Sequence, residues 1–214
     1  MPKDIVAGDF YYFESGQNGS VFVGAADCTG HGVPGAFMSL ICARELHLAN
    51  SMSGSPSKIL SLANKAVRDT LRQNHLEGGR DGMDIALLRI TGKQIVYSGA
   101  NRPLWKISSS GVFEEIKPTK NGIGGYTEDD VAFDEHIVEC ASGDMIYIFS
   151  DGYADQFGGD KGKKLTTKRF RDLLLQISGF HCDEQCKKLA AYLSEWKGNT
   201  EQVDDLLVIG IRIQ

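Results

Sequence analysis

The chain has 214 residues, 42% hydrophobic and 24% charged, which is long enough for one globular domain with a sizeable core. Its 25 glycines and its excess of Asp (17) over Glu (11) disfavour a helical bundle or coiled coil, because Gly and Asp form helices poorly. The net charge of −5 argues against a nucleic-acid-binding surface, and no apolar run reaches the roughly 18 residues of a membrane span.

The predicted elements run in the order ββαα, six strands, αα and a last strand. Apolar alternation predicts strands at Ile5–Phe13 and Ser20–Ala26. Two helices follow, one with Pro34 in its first turn and ending near Asn50, the other starting from Ser55 as N-cap and Pro56. The remaining strand candidates are Asp84–Ile90, Gln94–Gly99, Leu104–Ser108, Val112–Lys117, Val131–Cys140, Met145–Phe149 and Asp205–Ile213, and the late helices are Thr166–Ile177 and Asp183–Trp196.

Short connections between these strands indicate antiparallel pairing, because a parallel crossover needs a dozen or more residues. Helices that segregate from an antiparallel sheet are typical of the α+β class. Many strands with two separate helix pairs fit two packed sheets with helices outside. Without an internal repeat or a linker, we expect a single domain spanning residues 1–214.

A glycine-rich stretch, Gly30–Gly35, matches the dinucleotide-binding pattern G-x-G-x-x-G. Three residues separate the preceding strand from Gly30, where that motif needs a tight turn. The helix after it leads into a second helix and not into a parallel strand. We therefore expect no dinucleotide site here.

Aspartates in or beside strongly apolar strands are the most informative feature of the chain. Asp9 lies in the first predicted strand, Asp27 and Asp151 follow apolar runs, and Asp204 and Asp205 precede the last one. Each alone is compatible with turn chemistry. Together they indicate a compensating cation, because an unpaired carboxylate is costly to bury, and oxygen-only ligands suit Mg²⁺ or Mn²⁺.

At this point the chain resembles the SpoIIE-like (RsbU-type) branch of the PPM-type metal-dependent protein serine/threonine phosphatases. The resemblance extends from about Lys3 to Ile213. It is carried by motifs in the family's order: Gly8-Asp9-Phe10-Tyr11, Ala26–Gly32, Asp81-Gly82-Met83-Asp84, Gly99–Pro103, Ile123-Gly124-Gly125, Gly143-Asp144, Ser150-Asp151-Gly152 and Val203-Asp204-Asp205.

This resemblance implies a four-layer α-β-β-α sandwich and a site for two divalent cations, Mn²⁺ or Mg²⁺. Asp27 would bridge the ions, with the Cys28 carbonyl as a further ligand. Asp151 and Asp204 would complete one shell, and Asp9 would act directly or through water. Adjacent residues of a regular strand face opposite sides, so only one of Asp204 and Asp205 would point inward, and the family pattern favours Asp204.

Such a site would activate a water for in-line attack on phosphorus, so no catalytic Ser or Cys is required. Cys28 would contribute only its backbone. His31 could protonate the leaving alkoxide or serve the structure of its loop. Asn101 and Arg102 are candidate substrate-binding residues, although Arg102 is also compatible with an exposed turn. Asp81 and Asp84 flank a predicted strand start, and we expect them to serve the loop between helix and strand.

The resemblance also implies a role in bacterial stress or developmental signalling, with a phosphorylated STAS-type anti-anti-sigma protein as substrate. Five cysteines at irregular spacing favour a reducing cytoplasm, and we expect no nucleic acid or membrane contact. The start eight residues before Asp9 predicts an excised domain that lacks part of its first strand and an upstream sensor module.

The alternative is a catalytically silent pseudophosphatase that binds partners. A haloacid-dehalogenase-type enzyme would need a second Asp at position 29, where the chain has Thr.

Overall fold

The computed structural model describes residues 1–73 and 79–214, and in these residues the chain forms twelve strands and five α-helices. The strands are β1 Phe10–Ser15, β2 Val21–Cys28, β3 Gly82–Thr91, β4 Gln94–Ala100, β5 Leu104–Ile107, β6 Phe113–Ile116, β7 Ile123–Gly124, β8 His136–Val138, β9 Met145–Phe149, β10 Phe157–Gly158, β11 Lys163–Lys164 and β12 Val208–Arg212. The helices are α1 Gly32–Met52, α2 Pro56–Thr70, α3 Gly152–Asp155, α4 Thr167–Ile177 and α5 Cys182–Lys197.

Two antiparallel sheets form the centre of the structure. The first has the order β1-β2-β3-β4-β8, with β7 paired to β3, and the second has the order β12-β9-β5-β6. A separate hairpin joins β10 to β11. The predicted antiparallel pairing is therefore confirmed in both sheets.

Three buried clusters separate four layers. The first packs α1 and α2 against the first sheet through residues such as Leu46, Ile59 and Phe22. The second packs α4 and α5 against the other sheet, around Trp105 and Phe170. The third lies between the sheets and includes Ala25, Leu88, Tyr97, Ile146 and Ile148. The α+β class and the α-β-β-α sandwich are thus confirmed.

The start of α2 follows local capping chemistry. The Ser55 hydroxyl accepts a hydrogen bond from the Lys58 amide, and Pro56 occupies the first turn, where its missing N–H costs nothing. The apolar face of this helix, which includes Ile59, Ala63 and Val67, is fully buried. The predicted helix start is confirmed.

Several predicted boundaries were wrong, and the errors cluster near the aspartates. The first strand begins at Phe10 and not at Ile5, and the last begins at Val208 and not at Asp205. Val131–Cys140 reduces to the three residues of β8. The short elements β7, α3, β10 and β11 were not predicted. Near the aspartates, backbone amides form hydrogen bonds with side chains and not with a neighbouring strand. The alternation of apolar and polar residues does not reveal such bonds.

In the described parts of the chain, no helix is both long and apolar enough to cross a membrane. All five cysteines are free thiols in the structure.

Candidate functional site

Two carboxylates lie opposite each other on adjacent strands of the first sheet. The register of β2 and β3 pairs Asp27 with Asp84, at the end of β2 and near the start of β3. Like charges directly opposite in an antiparallel pair destabilise a sheet. This pairing therefore calls for a cation beside it.

The second sheet contributes two more aspartates to the same place. Asp151 follows β9 and starts α3, where its carbonyl accepts from the Asp155 amide. Asp204 lies before β12. All four carboxylates, Asp27, Asp84, Asp151 and Asp204, line one cleft of about 500 Å³ at the end of the sandwich. Residues far apart in the sequence thus form one acidic surface.

Arg102 supplies a positive charge inside this acidic group. Its Nη2 lies 2.5 Å from Asp27 Oδ2 and 2.7 Å from Asp151 Oδ2, and 3.6 Å from Asp84 Oδ2. The side chain is only 15% exposed. The interpretation of Arg102 as an exposed turn residue was therefore wrong, and the guanidinium acts as a counter-ion that joins the two sheets.

Asp9 lies just before β1, with one carboxylate oxygen unsatisfied. It accepts a hydrogen bond from Ser150, whereas its buried Oδ2 has no hydrogen-bond partner among the described residues. A buried carboxylate oxygen without a partner is costly unless a cation or water satisfies it. The predicted place of Asp9 inside a strand was wrong, but its position beside the cluster fits a metal-ligand role.

Asp205 lies beneath the cluster and holds the N-terminal segment in place. It is 2% exposed, and its two oxygens accept from the backbone amides of Lys3 and Gly8, each at 2.7 Å. The segment before β12 is not a strand, so the strand-alternation rule used for Asp204 and Asp205 does not apply. Asp204 lines the cleft while Asp205 is used structurally, in agreement with the choice of Asp204 as the candidate ligand.

A glycine is required at position 152, where the start of α3 packs against the segment that contains Asp204 and Asp205. A Cβ on Gly152 would lie 1.9 Å from the carbonyl oxygen of Asp205 and 3.3 Å from the Cβ of Asp204. The absence of a side chain lets α3 start directly against this segment. Gly152 thereby keeps Asp151 and Asp204 on the same side of the cleft.

Electrostatics at the site favour protonation of the carboxylates in the absence of further cations. Burial raises the pKa of Asp27 to about 8, against the opposing effect of Arg102, and raises that of Asp9 to about 6. Burial also raises the pKa of Asp84 and of Asp204. The cluster therefore has more negative charge than Arg102 alone can neutralise.

This electrostatic strain predicts a pH dependence of stability. The folded protein binds protons at Asp9 and Asp27 that the unfolded chain, with ordinary pKa values near 3.8, has already released. The free energy of unfolding of metal-free protein should therefore fall as pH rises from about 4 to about 8. The fall should be smaller in Asp27→Asn, whose side chain cannot ionise. Urea unfolding of both proteins in chelator at several pH values measures this difference, and equal pH profiles would contradict it.

Two other predicted residues, Asn101 and His31, line the cleft in different roles. Asn101 donates from Nδ2 to Asp84 Oδ1 at 2.9 Å. The ring nitrogens of His31, which lies on the cleft wall, contact Asp4 Oδ2 at 2.9 Å and Lys3 Nζ at 3.1 Å. These contacts tie His31 to the N-terminal segment and support the structural reading of its loop.

The thiol of Cys28 is buried in the hydrophobic core and not directed at the carboxylate cluster. It is 4% exposed and packs in the cluster under α1, where a hydrogen bond with Cys42 and burial raise its pKa. A thiol with a raised pKa is a poor nucleophile at neutral pH. The expectation that Cys28 contributes only through its backbone is consistent with this position.

The carboxylate oxygens of the cleft are suitable donors for a metal ion, although the Arg102 guanidinium lies among them. Among the described residues, no three His, Cys, Asp or Glu side chains already surround one point as a metal site. The unsatisfied Asp9 oxygen, the Asp27–Asp84 pair and the raised carboxylate pKa values all demand positive charge. Hard oxygen donors of this kind suit Mg²⁺ or Mn²⁺.

Asp84 is the carboxylate that sequence reasoning left to turn chemistry. It precedes the apolar run Ile85–Leu88, so the pattern that selected Asp204 and Asp205 before the last apolar run also applied to it. Its partner across the sheet could not be read from sequence, because two helices separate β2 from β3 and leave the register open. The structure adds Asp84 to the cleft.

Comparison with known proteins gives one family and several similar structures. The family model for Stage II sporulation protein E (SpoIIE) matches residues 17–214. No curated protein sequence matches the chain. The SiaA-PP2C domain of Pseudomonas aeruginosa is 30% identical, covering 100% of this chain and 83% of that chain, with a TM-score of 0.88.

Two further structures share the fold at lower identity. The RsbU and RsbW domains of Rv1364c from Mycobacterium tuberculosis are 20% identical, with a TM-score of 0.75, and cover 98% of this chain and 56% of that chain. RsbX in complex with magnesium is 17% identical, with a TM-score of 0.66, and covers 98% of this chain and 88% of that chain.

Proposed function

We propose that this chain, which belongs to the SpoIIE family of PP2C-type protein serine/threonine phosphatases, hydrolyses phosphoserine and phosphothreonine on a regulatory protein with the help of divalent cations. The family resemblance predicted from eight ordered motifs is confirmed by the family model. The observation that supports the site is the meeting of Asp27, Asp84, Asp151 and Asp204 in one cleft. The same proposal treats residues 1–214 as one phosphatase domain.

Two divalent cations, Mn²⁺ or Mg²⁺, are the proposed cofactors. Asp27 would bridge them, Asp151, Asp204 and the Cys28 carbonyl would complete the shells, and Asp9 would use the oxygen that has no partner. When bound, such ions lower the pKa of a bound water and neutralise phosphoryl oxygens. The magnesium bound by the similar RsbX supports the choice of a hard cation.

Arg102 is proposed to hold the phosphoryl group. Its guanidinium carries five N–H donors, of which Nη2 reaches Asp27 and Asp151 while the buried Nε–H has no partner among the described residues. A planar guanidinium matches phosphate oxygens well. Asn101 would keep Asp84 oriented next to it. His31 lines the cleft and remains the candidate proton donor to the leaving alkoxide.

The proposed substrate is a phosphorylated STAS-type anti-anti-sigma protein, acted on under control of a sensor module of the full-length protein. The similar RsbU domain occurs in one structure with an RsbW domain, which supports a place in regulation of this kind. The second candidate function is a pseudophosphatase that binds such a partner without turnover. Arg102 favours that alternative if its ion pairs exclude the cations.

Phosphate release decides between these functions. The wild-type protein should release phosphate from phosphoserine and phosphothreonine peptides when Mn²⁺ or Mg²⁺ is added, and should lose that activity in chelator and regain it with excess metal. We expect little release from a phosphotyrosine peptide. Asp160→Asn, an exposed substitution in the turn between β10 and β11, is the matched control and should behave as wild type. Activity that survives chelator would overturn the proposal, and a folded, metal-bound protein without turnover would support the pseudophosphatase.

A further inference from the structure

The cleft extends well past the carboxylates, and its far wall carries basic and aromatic side chains. Residues 120–127 form much of that wall, together with Arg80. Its volume of about 500 Å³ falls in the range of sites that bind a ligand of several groups. A phosphoserine side chain at the carboxylates would leave this part of the cleft unfilled.

The order of residues along the cleft follows from strand pairing. A Cβ on Gly122 would lie 3.0 Å from Asp84 Oδ1, so this part of the wall adjoins the carboxylates. From there β7 runs antiparallel to β3, with Gly124 opposite Gly82. Arg80 comes four residues before Asp84, and four extended residues span at most about 14 Å.

Arg80 is held in a specific orientation at this far position. Its guanidinium lies 4.4 Å from the centre of the Tyr126 ring, and its Nη1 donates to the Tyr126 hydroxyl. Stacking on an aromatic ring leaves the other N–H donors of an Arg directed outward, in the fork that matches a carboxylate. Both side chains are exposed at the cleft, with Tyr126 77% exposed.

Within residues 1–73 and 79–214, the two basic side chains of this wall have no acidic partner. Neither Arg80 nor Lys120 forms an ion pair with a carboxylate of the described residues, whereas Arg102 has three such partners. The cleft is therefore acidic at one end, where cations and phosphate would meet, and basic along its extension. An extended peptide would meet these charges in turn.

We propose that Arg80, stacked on Tyr126 and assisted by Lys120, is a specificity-determining residue that recognises acidic side chains flanking the phosphorylated residue of the substrate. This inference rests on the proposed phosphatase function and deepens it by naming the substrate class. An extended peptide rises about 3.4 Å per residue, so the favoured acidic residue should lie within roughly four residues of the phosphoserine.

Phosphoserine peptides of one length test this directly. A single Glu, Ala or Lys is moved through the positions on either side of phosphoserine, and kcat/KM is measured with Mn²⁺. We expect the wild-type protein to prefer the Glu peptide by about two- to fivefold over the Ala peptide at one or two positions, which is the range for one solvent-exposed ion pair. The preference should shrink as salt is raised, because exposed charges are screened.

Charge reversal assigns the preference to named residues. In Arg80→Glu the preference for Glu should change to a preference for Lys, and Lys120→Glu should weaken it. Arg80→Lys should keep part of it, since it retains the charge but loses the fork. Lys187→Glu, an exposed substitution on α5 in the opposite layer, is the matched control and should keep the wild-type preference. Each rate is divided by the same variant's rate on 4-nitrophenyl phosphate, a substrate without flanking residues.

The outcomes separate this inference from the function on which it rests. Turnover of all phosphoserine peptides at equal rates, or a Glu preference that persists in Arg80→Glu and Lys120→Glu, would overturn the inference while leaving the phosphatase intact. Absence of turnover on peptides and on 4-nitrophenyl phosphate would remove the proposed function. Fluorescence anisotropy of the labelled peptides on wild type and Arg80→Glu would then still decide whether acidic flanks are preferred.

Discussion

Replacement of Asp27 by Asn is expected to lower kcat/KM for a phosphoserine peptide by about 100-fold or more, with the protein still folded. Asp27 is the carboxylate proposed to bridge the two cations, and such cations supply several kcal/mol of stabilisation to the developing phosphoryl charge. Each 1.4 kcal/mol lost is tenfold in rate. Asn keeps the shape of the side chain and removes the charge that is proposed to hold the ions.

Stability distinguishes this loss from unfolding. The charged form of Asp27 is disfavoured by burial, so the free energy of unfolding of metal-free Asp27→Asn at pH 8 should equal or exceed that of wild type. Arg102 retains Asp151 as a partner in the variant. Urea unfolding and peptide kinetics on the same preparations, beside the exposed Asp160→Asn, test both statements. Undiminished activity in Asp27→Asn would contradict the role assigned to Asp27.

Replacement of Asp205 by Ala is expected to lower the free energy of unfolding by about 3 kcal/mol or more. Asp205 accepts from the amides of Lys3 and Gly8, and each hydrogen bond to a charged acceptor contributes about 1.5–3 kcal/mol. Ala removes both acceptors and leaves the amide of Gly8 buried without a partner. Because Gly8 precedes Asp9, Mn²⁺ affinity should weaken as well.

The isosteric variant Asp205→Asn gives a graded control. Its carbonyl oxygen can still accept from one amide, while its NH₂ group opposes the other, so we expect roughly half of the loss measured for Ala. Chemical denaturation of both variants beside the exposed Asp130→Asn measures the effect. A loss below about 0.5 kcal/mol in Asp205→Ala, the size of an ordinary surface substitution, would show that Asp205 does not hold the N-terminal segment.

The layer architecture was predictable from sequence because it follows from local patterns. Short turns between apolar segments fixed antiparallel pairing, and Ser55-Pro56 marked a helix start that the structure confirms. Boundaries failed where aspartates bond to backbone amides. Residues 5–9 continue the strand pattern, yet the amide of Gly8 bonds to Asp205 and not to a neighbouring strand.

The site was predictable in type but not in detail. Strand-end carboxylates indicated hard-cation chemistry, and Asp27, Asp151 and Asp204 line the same cleft. The Asp27–Asp84 pair depends on a register set across two intervening helices, which no local pattern encodes. Arg102 follows a strand of the first sheet and reaches Asp151 of the second, a contact that exists only once the sheets are packed.

Sequence also could not separate the two final aspartates by strand geometry. The rule that neighbours face opposite sides holds in strands, and residues 204–207 are outside β12. Asp204 reaches the cleft and Asp205 the N-terminal segment because the loop bends between α5 and β12, with Gly152 packed closely against it. The side chains of Asp204 and Asp205 do point in different directions, but the cause is the bend of the loop and not the alternation of a strand.

The central claim is that the aspartate cluster holds divalent cations, and calorimetric titration of metal-free protein with Mn²⁺ tests it most directly. We expect the wild-type protein to bind two Mn²⁺ ions with release of protons at neutral pH, since the raised pKa values leave Asp9 and Asp27 partly protonated. Asp27→Asn should bind fewer ions or bind them more weakly. A wild-type protein that binds no Mn²⁺, or an Asp27→Asn variant with unchanged stoichiometry and affinity, would contradict the claim.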